Sequence, residues 1–452
     1  MSESCCDPTL IADRYSALFS CNDQLRYEAL IYFTTLLNDE LVPVDDLIEL
    51  GAISKFVEFL QHDDEPQLQS EAAWALICVT DGTSEHVQYI LELGALPWLI
   101  RLISSSNEEV QEHAIWTLGN IAGDGLRARD CVLRERVLEP LLKCMENHVN
   151  HLGLIRTCSF LLCNLCRCQP VPSLEVISSA IPMLVRLLYH TDEEVVANAC
   201  VALACLCNPF GPIEYVERVV QTTAVTKLAG LLSHPSKDVV VQALQAIGNI
   251  AAGDASHFTQ VIIDSGALAP LRTLLSDSLV WIQKKTCWVL SNITCVNEDH
   301  VQDVIKANIM LEIIRMIENS TETELKKQAI WVFVHAMNRG NNSQIVYMIE
   351  QQSHCIEVLC DIVLQNEKAD LAGKALAALS KIVFACREEG ACPECEDKIQ
   401  EKGLWHVVVY NNVKVSTVHT KRFTNLLRRP VTTKLCDMAV SFHSDLNTDD
   451  SL

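Results

Sequence analysis

The sequence predicts an all-α protein built as a right-handed solenoid of stacked helical units, and three observations support this fold class. One sequence segment recurs in steps of 41 to 44 residues, centred on the following positions: Trp74, Trp116, Phe160, Val201, Gln245, Trp288 and Trp331. A Gly-Ala pair repeats with the same period, at residues 51–52, 94–95 and 266–267. Hydrophobic residues make up 49% of the 452 residues, while only 16 Gly and 14 Pro are present, which disfavours sheets joined by many turns.

The period of the repeat defines the content of each unit. A repeat of 41–44 residues is typical of the armadillo or HEAT kind of α-solenoid, in which units share one continuous core. We expect a short first helix, the Gly-Ala turn, a second helix, a polar turn and a third helix. In the second unit the second helix covers residues 96–103, with Pro97 in its first turn, where proline is tolerated. The polar turn covers residues 104–107 and the third helix residues 108–122.

Apolar spacing within this third helix supports the interpretation. Four residues of it recur at the spacing of a helix face and are predicted to be buried: Val110, Ala114, Leu118 and Ile121.

The domain organisation follows from where the repeat is legible. Residues 1–40 are expected to form an atypical N-terminal repeat or cap, and residues 41–385 the armadillo repeats with a peptide-binding groove. Residues 386–410 are expected to form a degenerate last repeat, with a loop-like part at residues 386–398. Residues 411–452 show no sustained helical period and are expected to be a flexible tail.

Composition excludes several classes of protein. The formal net charge is −23, so no basic surface for nucleic acid is expected. No secretory signal and no apolar run of membrane-spanning length are found. Most of the 21 Cys lie in the repeats, and we interpret them as small buried residues of a protein in a reducing compartment; examples are Cys158, Cys163, Cys200, Cys205 and Cys287. No catalytic motif is present, so we expect neither enzyme activity nor a cofactor.

A polar and aromatic stripe lies beside the core stripe of the third helix. Glu112, Trp116 and Asn120 follow one another at intervals of four residues. Neighbouring helices pack about 8–10 Å apart, and an extended peptide rises about 3.3 Å per residue, so successive stripes would meet a peptide about every three residues. Asn amides can hold its backbone, and indole faces attract cationic side chains. The alternative is that Trp packs between units and Asn caps a turn.

The recurring segments resemble those of importin-α, the adaptor family that recognises nuclear localisation signals. The resemblance covers about residues 10–400 and is carried by the segments EAAWAL (71–76), WTLGNIAGD (116–124), NLCR (164–167) and WVLSNIT (288–294). It implies ten armadillo repeats, a major signal-binding site in the N-terminal half and a minor site further on. The peptide-binding residues implied are Trp74, Glu112, Trp116, Asn120, Asp124, Phe160, Asn164, Glu194, Asn249, Trp288, Asn292 and Trp331. Asp124 takes the place of the acid that pairs with the key signal lysine.

This chain departs from the family pattern in both sites. In the major site other residues stand at the family's polar or aromatic positions, namely Cys78, Val87, Asn198, Val201 and Cys205. In the minor site the departures are Gln245, Lys285, Gln328 and His335. A lysine in place of an acid repels a cationic ligand, so we expect the minor site to bind a basic cluster poorly.

The resemblance also bears on partners and location. It implies cargo proteins with basic localisation signals, and a place in cytoplasm and nucleus. Between residues 1 and 40 the only basic residues are Arg14 and Arg26. The family's basic segment for importin-β is therefore not found, and we expect neither direct high-affinity importin-β binding nor a groove blocked from the N-terminus.

Several alternatives remain open at this point. The chain could be a cargo-binding scaffold or competitor not coupled to importin-β. It could also be a junctional or cytoskeletal scaffold like β-catenin, although that kind has a basic groove for acidic partners. Cys386, Cys392, Cys395 and His406 could bind zinc, but only Cys392 and Cys395 have tight ligand spacing, so free thiols are favoured. The basic pairs at 421–422 and 428–429 could dock in the acidic groove.

Overall fold

A computed structural model describes residues 7–253, 256–351, 354–365 and 369–409, and every regular element in these residues is helical. The predicted tail at 411–452 and its two basic pairs lie outside the described residues. Among the described residues, no helix has both the length and the apolar character needed to cross a membrane.

Two helices precede eight three-helix units in the described chain. They are α1 (Pro8–Ala17) and α2 (Asp23–Asn38). Unit 1 comprises α3 (Val44–Leu50), α4 (Ala52–Phe59) and α5 (Pro66–Thr80). Unit 2 comprises α6 (Ser84–Glu92), α7 (Leu96–Leu102) and α8 (Glu108–Gly123). Unit 3 comprises α9 (Leu126–Arg134), α10 (Leu138–Asn147) and α11 (Leu152–Cys166). Units 4 and 5 comprise α12 (Leu174–Ile177), α13 (Ile181–Leu187), α14 (Glu193–Leu206); and α15 (Ile213–Val220), α16 (Ala224–Leu231), α17 (Lys237–Ala251).

The remaining helices continue the pattern. Units 6 to 8 comprise α18 (Ser256–Asp264), α19 (Leu268–Leu274), α20 (Val280–Thr294); α21 (Glu298–Lys306), α22 (Ile309–Asn319), α23 (Thr323–Arg339); and α24 (Asn342–Gln351), α25 (His354–Gln365), α26 (Ala369–Glu389). A short 3-10 helix, Ser178–Ala180, joins α12 to α13, and α27 (Glu394–Glu401) follows the last unit. The structure thus confirms the predicted three-helix unit and the all-α solenoid.

The Gly-Ala marker has a conformational cause. Gly51, Gly94 and Gly266 end the first helices with positive φ values of 83°, 73° and 82°, a region that residues with a Cβ avoid. Units 3 and 7 keep the same conformation without glycine, at Arg136 (φ 59°) and Asn308 (φ 57°). The sequence marker is lost in those units although the turn remains.

One continuous core runs beneath the third helices. Each third helix packs against the third helix of the next unit, from α5 to α26. The four residues predicted as the core face of α8, namely Val110, Ala114, Leu118 and Ile121, are all buried. Of the five example cysteines, four are buried and Cys205 is partly buried. Burial raises the pKa of Cys163, Cys200 and Cys287 to about 12, so these thiols stay protonated at neutral pH.

The expectation of a loop at residues 386–398 is wrong for most of that segment. Helix α26 continues to Glu389, and α27 begins at Glu394. The segment is polar, but acids in the first turn of α27 favour a helix N-terminus, and Cys395 and Ile399 supply a buried face. Residues 405–409 are helical again.

Candidate functional site

We call the twelve residues implied for peptide binding, from Trp74 to Trp331, the ladder. Three of its asparagines connect neighbouring third helices by hydrogen bonds. The side-chain Nδ2 of Asn164 donates to the carbonyl of Gly119 at 3.0 Å, and that of Asn249 donates to Ala204 at 2.8 Å. Asn292 repeats the contact with Gly248 at 3.1 Å. Each amide therefore uses one N–H to hold the preceding unit, and keeps a second N–H for another partner. These amides therefore join two units, which differs from the alternative that Asn caps a turn.

The ladder asparagines differ in how far a ligand could reach them. Asn164 and Asn249 are only 2% and 7% exposed. Asn120 and Asn292 are partly exposed. Asn120 donates to the Thr80 hydroxyl at 3.3 Å, which leaves its carbonyl oxygen and one N–H for another partner. Asn120 and Asn292 are therefore the amides best placed to bind a peptide backbone.

The first two indoles of the ladder are in contact with each other. The ring centroids of Trp74 and Trp116 lie 5.9 Å apart at an interplanar angle of 87°. Trp74 also packs on His113, whose Nδ1 lies 3.0 Å from the Ser70 carbonyl oxygen. An alkyl chain sandwiched between two parallel rings needs a ring separation of about 7–8 Å, since carbon contacts are about 3.5–4 Å. The two indoles therefore offer one composite surface in this state, in which Trp116 is 38% exposed.

The later aromatic residues of the ladder rest on glycines of the preceding unit. A Cβ added at Gly119 would lie 2.6 Å from the Phe160 ring, and one at Gly248 would lie 2.0 Å from the Trp288 ring. Both glycines are buried within third helices, so they provide the space in which Phe160 and Trp288 lie. Phe160 and Trp288 are partly buried, and each ring packs against the glycine of the preceding unit.

Asp124 ends α8 and points to solvent. It is the C-cap residue of that helix, and Ser84 at the start of α6 donates to its Oδ1 at 2.7 Å. Val87, near the start of the same helix α6, is buried and offers no polar group. The hydroxyl of Ser84 was not predicted from the sequence, because a contact across 40 residues leaves no mark in local spacing. Asp124 is thus exposed at the surface and accepts one hydrogen bond from the protein, that of Ser84.

The two rim acids have intramolecular partners. The hydroxyl of Thr157 lies 3.4 Å from Glu112 Oε1, which links α8 to α11. The Nε of Arg156 lies 3.4 Å from Glu194 Oε2, and the same guanidinium pairs with Asp192 at 2.5 Å. The hydrogen bond from Arg156 lowers the pKa of the Asp192 carboxyl. Arg156 was not predicted from the sequence, and it offsets part of the charge that Glu194 was expected to offer a ligand.

Additional charges on the first third helices were also missed. Glu71 precedes Trp74 by one turn, and the exposed Asp81 caps the end of α5. Burial raises the pKa of the Cys78 thiol, and the charges of Asp81 and Glu71 add to the effect. Both acids therefore lie near Cys78, one turn beyond Trp74. The Nη1 of Arg167, at the end of α11, lies 3.4 Å from the Asn164 side-chain oxygen and places a cation beside that amide.

The second half of the ladder has cationic side chains beside its aromatic residues, as the sequence predicts for Lys285. Burial lowers the pKa of Lys285, one turn before Trp288, from 10.5 to about 8. The Lys374 ammonium lies 4.8 Å from the centroid of the Trp331 ring, and the His335 ring packs against the same ring at 5.4 Å with an interplanar angle of 53°. The Gln245 amide donates to Asn249 at 2.8 Å. The chain's own side chains therefore already contact an indole and an amide of this half of the ladder.

The stacking places all twelve predicted residues on third helices, apart from Asp124, which ends one. They form a series from α5 to α23. The acids and the exposed indole lie in the first half, on α5, α8 and α14.

Comparison with known proteins defines the class of this fold. The family model described as Armadillo/beta-catenin-like repeat matches residues 42–76, 83–123, 169–207 and 256–295. These ranges correspond to units 1, 2, 4 and 6. A crystal structure of an engineered protein shares the fold, with a TM-score of 0.76 and 23% sequence identity over 89% of this chain and 93% of that chain. The molecule is an armadillo-repeat protein.

Sequence relatives then identify the family. Importin subunit alpha-1b of Oryza sativa subsp. japonica is 38% identical over 77% of this chain and 64% of its own length. Importin subunit alpha-5 of Arabidopsis thaliana is 37% identical over 78% of this chain and 67% of its own. Importin subunit alpha-8 of the same plant is 34% identical, over 76% and 75%. The chain belongs to the importin subunit alpha family, and it spans a little under two thirds of the rice relative's length.

Proposed function

We propose that this chain is a nuclear import adaptor or a close variant of one, which binds basic nuclear localisation signals in extended conformation along the first half of the ladder. The observation that carries the proposal is the solvent-facing carboxylate of Asp124, one helical turn beyond the partly exposed Asn120 and two turns beyond the exposed Trp116. These three groups can bind an ammonium, a peptide backbone and an alkyl chain, respectively.

Charge supports a cationic ligand at this half of the molecule. Glu71, Asp81, Glu112 and Asp124 lie on or at the ends of α5 and α8, and neither of these two helices carries a Lys or Arg. A scaffold of the junctional kind, which needs a basic groove for acidic partners, does not fit this surface. The family membership points the same way, because the relatives are named as importin subunits.

The route of delivery is a separate matter from cargo binding. We propose cargo proteins with basic signals as partners, and a location in both cytoplasm and nucleus, without an enzymatic step. A cargo-binding scaffold that does not couple to importin-β would use the same ladder surface. The expectation that importin-β is not bound directly stays a prediction, since the chain matches only part of its relatives' length.

The test measures binding of a monopartite basic peptide by calorimetry. Asp124→Lys should weaken binding by about tenfold to a hundredfold, because a charge-assisted hydrogen bond contributes about 1.5–3 kcal/mol and repulsion replaces it. Glu139→Lys makes the same charge change on α10, a second helix away from the ladder, and should leave affinity within about twofold. Equal affinity of the wild type and Asp124→Lys would show that the peptide binds elsewhere or that this function is wrong.

A further inference from the structure

Three cysteine thiols converge at the end of the last unit. The Sγ atoms of Cys386, Cys392 and Cys395 all lie within 4.8 Å of one another. The Sγ of Cys386 is 3.8 Å from that of Cys395, and both residues are buried, with 4% and 1% of their surface exposed. Cys392 is partly exposed, so the cluster opens to the surface on one side. No residue of the ladder takes part in this cluster.

The local backbone holds the three thiols on two different helices and the turn between them. Helix α26 ends in a glycine-capped turn, in which the N–H of Ala391 donates to the Cys386 carbonyl at 2.8 Å and Gly390 has a φ of 64°. Cys392 itself has a φ of 48°, a conformation that a cysteine adopts only when its surroundings impose it. The N–H of Cys395 then donates to the Cys392 carbonyl at 3.1 Å.

Ion pairs fix the second helix of the cluster against the last unit. Arg387 on α26 pairs with Glu396 on α27 through two contacts, of 2.5 and 3.2 Å. Lys398 reaches Glu357 at 3.1 Å, and Lys402 reaches Asp361 at 2.6 Å, which joins α27 to α25. The positions of Cys386 and Cys395 are therefore set by the packing of two helices and do not depend on a free loop.

We propose that Cys386, Cys392 and Cys395 bind a Zn²⁺ ion that fastens α27 to the armadillo stack. Two thiolates bound at about 2.3 Å to a tetrahedral zinc lie about 3.8 Å apart, which is the distance between Cys386 and Cys395. Three sulfur ligands within a few ångströms suit a soft or borderline cation and disfavour magnesium or calcium. The tight Cys392-Pro393-Glu394-Cys395 spacing supplies two of the ligands, and the helix end supplies the third.

The fourth ligand position faces the open side of the cluster and is filled by water or a carboxylate. The carboxylates of Glu350 and Glu396 both interact electrostatically with the Cys386 thiol, so the surroundings are anionic and favour a cation. Glu396 is already paired with Arg387, which leaves Glu350 as the protein group better able to turn toward a metal. Zinc binding there displaces thiol protons and adds its free energy to the stability of the last unit.

The experiment measures metal bound to the full chain after it is loaded with Zn²⁺ under reducing conditions and dialysed. Cys392→Ser removes the most accessible ligand. The matched control is Cys168→Ser, because Cys168 is also partly buried, also has a positive φ (67°), and lies outside the cluster. The wild type and Cys168→Ser should each retain about one zinc ion more per chain than Cys392→Ser does.

Two further measurements keep the proposal testable if Cys392→Ser folds poorly. Co²⁺ added to the wild type should give the charge-transfer absorption of a thiolate-bound, tetrahedral ion. A chelator should lower the thermal midpoint of the wild type and of Cys168→Ser alike. Equal zinc content in all three proteins, Cu(I) binding without Zn²⁺ binding, or a metal-free disulfide between two of these thiols would each overturn the zinc assignment.

Discussion

At the scale of single residues, glycines decide whether the ladder can form. Gly248 lies in α17 directly beneath the Trp288 ring, so close that an added Cβ would stand 2.0 Å from the ring. A helical glycine normally destabilises a helix by about 0.8–1 kcal/mol relative to alanine. Glycine suits this position because the aromatic residue of the next unit occupies the volume that a side chain would need.

We therefore expect Gly248→Ala to destabilise the protein by about 1–3 kcal/mol, as overpacking of a well-packed core does. The matched control is Gly230→Ala, in the exposed part of α16, where an added Cβ meets nothing within 4 Å. That variant should gain about 0.4–1 kcal/mol from reduced chain entropy in the unfolded state. Urea denaturation of the three proteins checks both signs, and a neutral Gly248→Ala would mean that Trp288 is free to move aside.

Lys285 gives a pH dependence with a definite sign. Its pKa is lowered by burial from 10.5 to about 8, whereas an unfolded lysine titrates near about 10.4. Between these values the unfolded chain binds more protons, so the contribution of Lys285 to stability rises with pH across this window. Below about pH 8 the full cost of burying the charge is present, roughly 1.4 kcal/mol for each unit of pKa shift.

Lys285→Met should accordingly be more stable than the wild type at about pH 7, and the advantage should shrink by about pH 9.5. The comparison of the two proteins cancels the titration of other groups. Lys284→Met controls for the loss of a lysine charge from the same helix. A stability difference that stays constant between the two pH values would contradict the assignment of the shifted pKa to Lys285.

At the scale of elements, a buried arginine in the third unit donates hydrogen bonds to the backbone that follows the unit's last helix. Arg129 of α9 is 1% exposed, and its Nη1 donates to the carbonyls of Arg167 (2.6 Å) and Cys168 (3.2 Å) just beyond α11. Its Nη2 donates to the Pro170 carbonyl at 3.0 Å and pairs with Asp130 at 2.7 Å. One guanidinium thus supplies hydrogen-bond donors to three backbone carbonyls where the chain leaves α11 for the short helix α12.

Arg129→Met keeps the apolar volume but leaves these carbonyls without their donor, so we expect a loss on the order of 3 kcal/mol. Arg127→Ala is the control, because Arg127 lies on the same helix and is exposed. Hydrogen exchange should show faster opening at the end of α11 in Arg129→Met before the rest of the stack is affected. A variant that unfolds with wild-type stability would show that water replaces the guanidinium without loss.

The sequence predicts helices well where the pattern is local and predicts side-chain partners poorly where it is not. The bounds of α8 and the core face from Val110 to Ile121 follow from apolar spacing within one helix. The contacts of Asp124 with Ser84 and of Glu194 with Arg156 span about one repeat, and local spacing carries no information about them. The packing of Trp74 against Trp116 depends on how two units meet, which a period alone does not fix.

The thiol cluster shows the same limit in another form. Cys386 was separated from Cys392 and Cys395 by an expected loop, so only the close pair had recognisable ligand spacing. The continuation of α26 to Glu389 and its sharp turn bring the third thiol back to the pair. Spacing rules for metal ligands therefore recognise only the close pair, because a helix end and not local spacing brings the third thiol to it.

At the scale of the whole molecule, the charge beside the ladder changes along its length, although the net charge of the chain is −23. The exposed acids beside the ladder, Asp81, Asp124 and Glu194, lie in the first four units. Lys285 and Lys374 lie beside Trp288 and Trp331 in the later units, and Lys381 donates to the Asn338 carbonyl at 2.6 Å nearby. An extended peptide that follows the whole ladder would therefore meet attraction at one end and repulsion at the other.

This asymmetry predicts how the chain treats signals with one or two basic clusters. A bipartite peptide should bind less than about tenfold more tightly than the single cluster that occupies the first half, because cations oppose the second cluster. The double change Lys285→Glu with Lys374→Gln removes that opposition and clears the face of Trp331, so it should increase the gain from the second cluster. The affinity for the single-cluster peptide, which contacts neither lysine, should stay unchanged and serves as the control. Calorimetry with both peptides on both proteins decides the matter, and a loss of a hundredfold or so on mutating the second cluster in the wild type would show that the later rungs bind basic side chains after all.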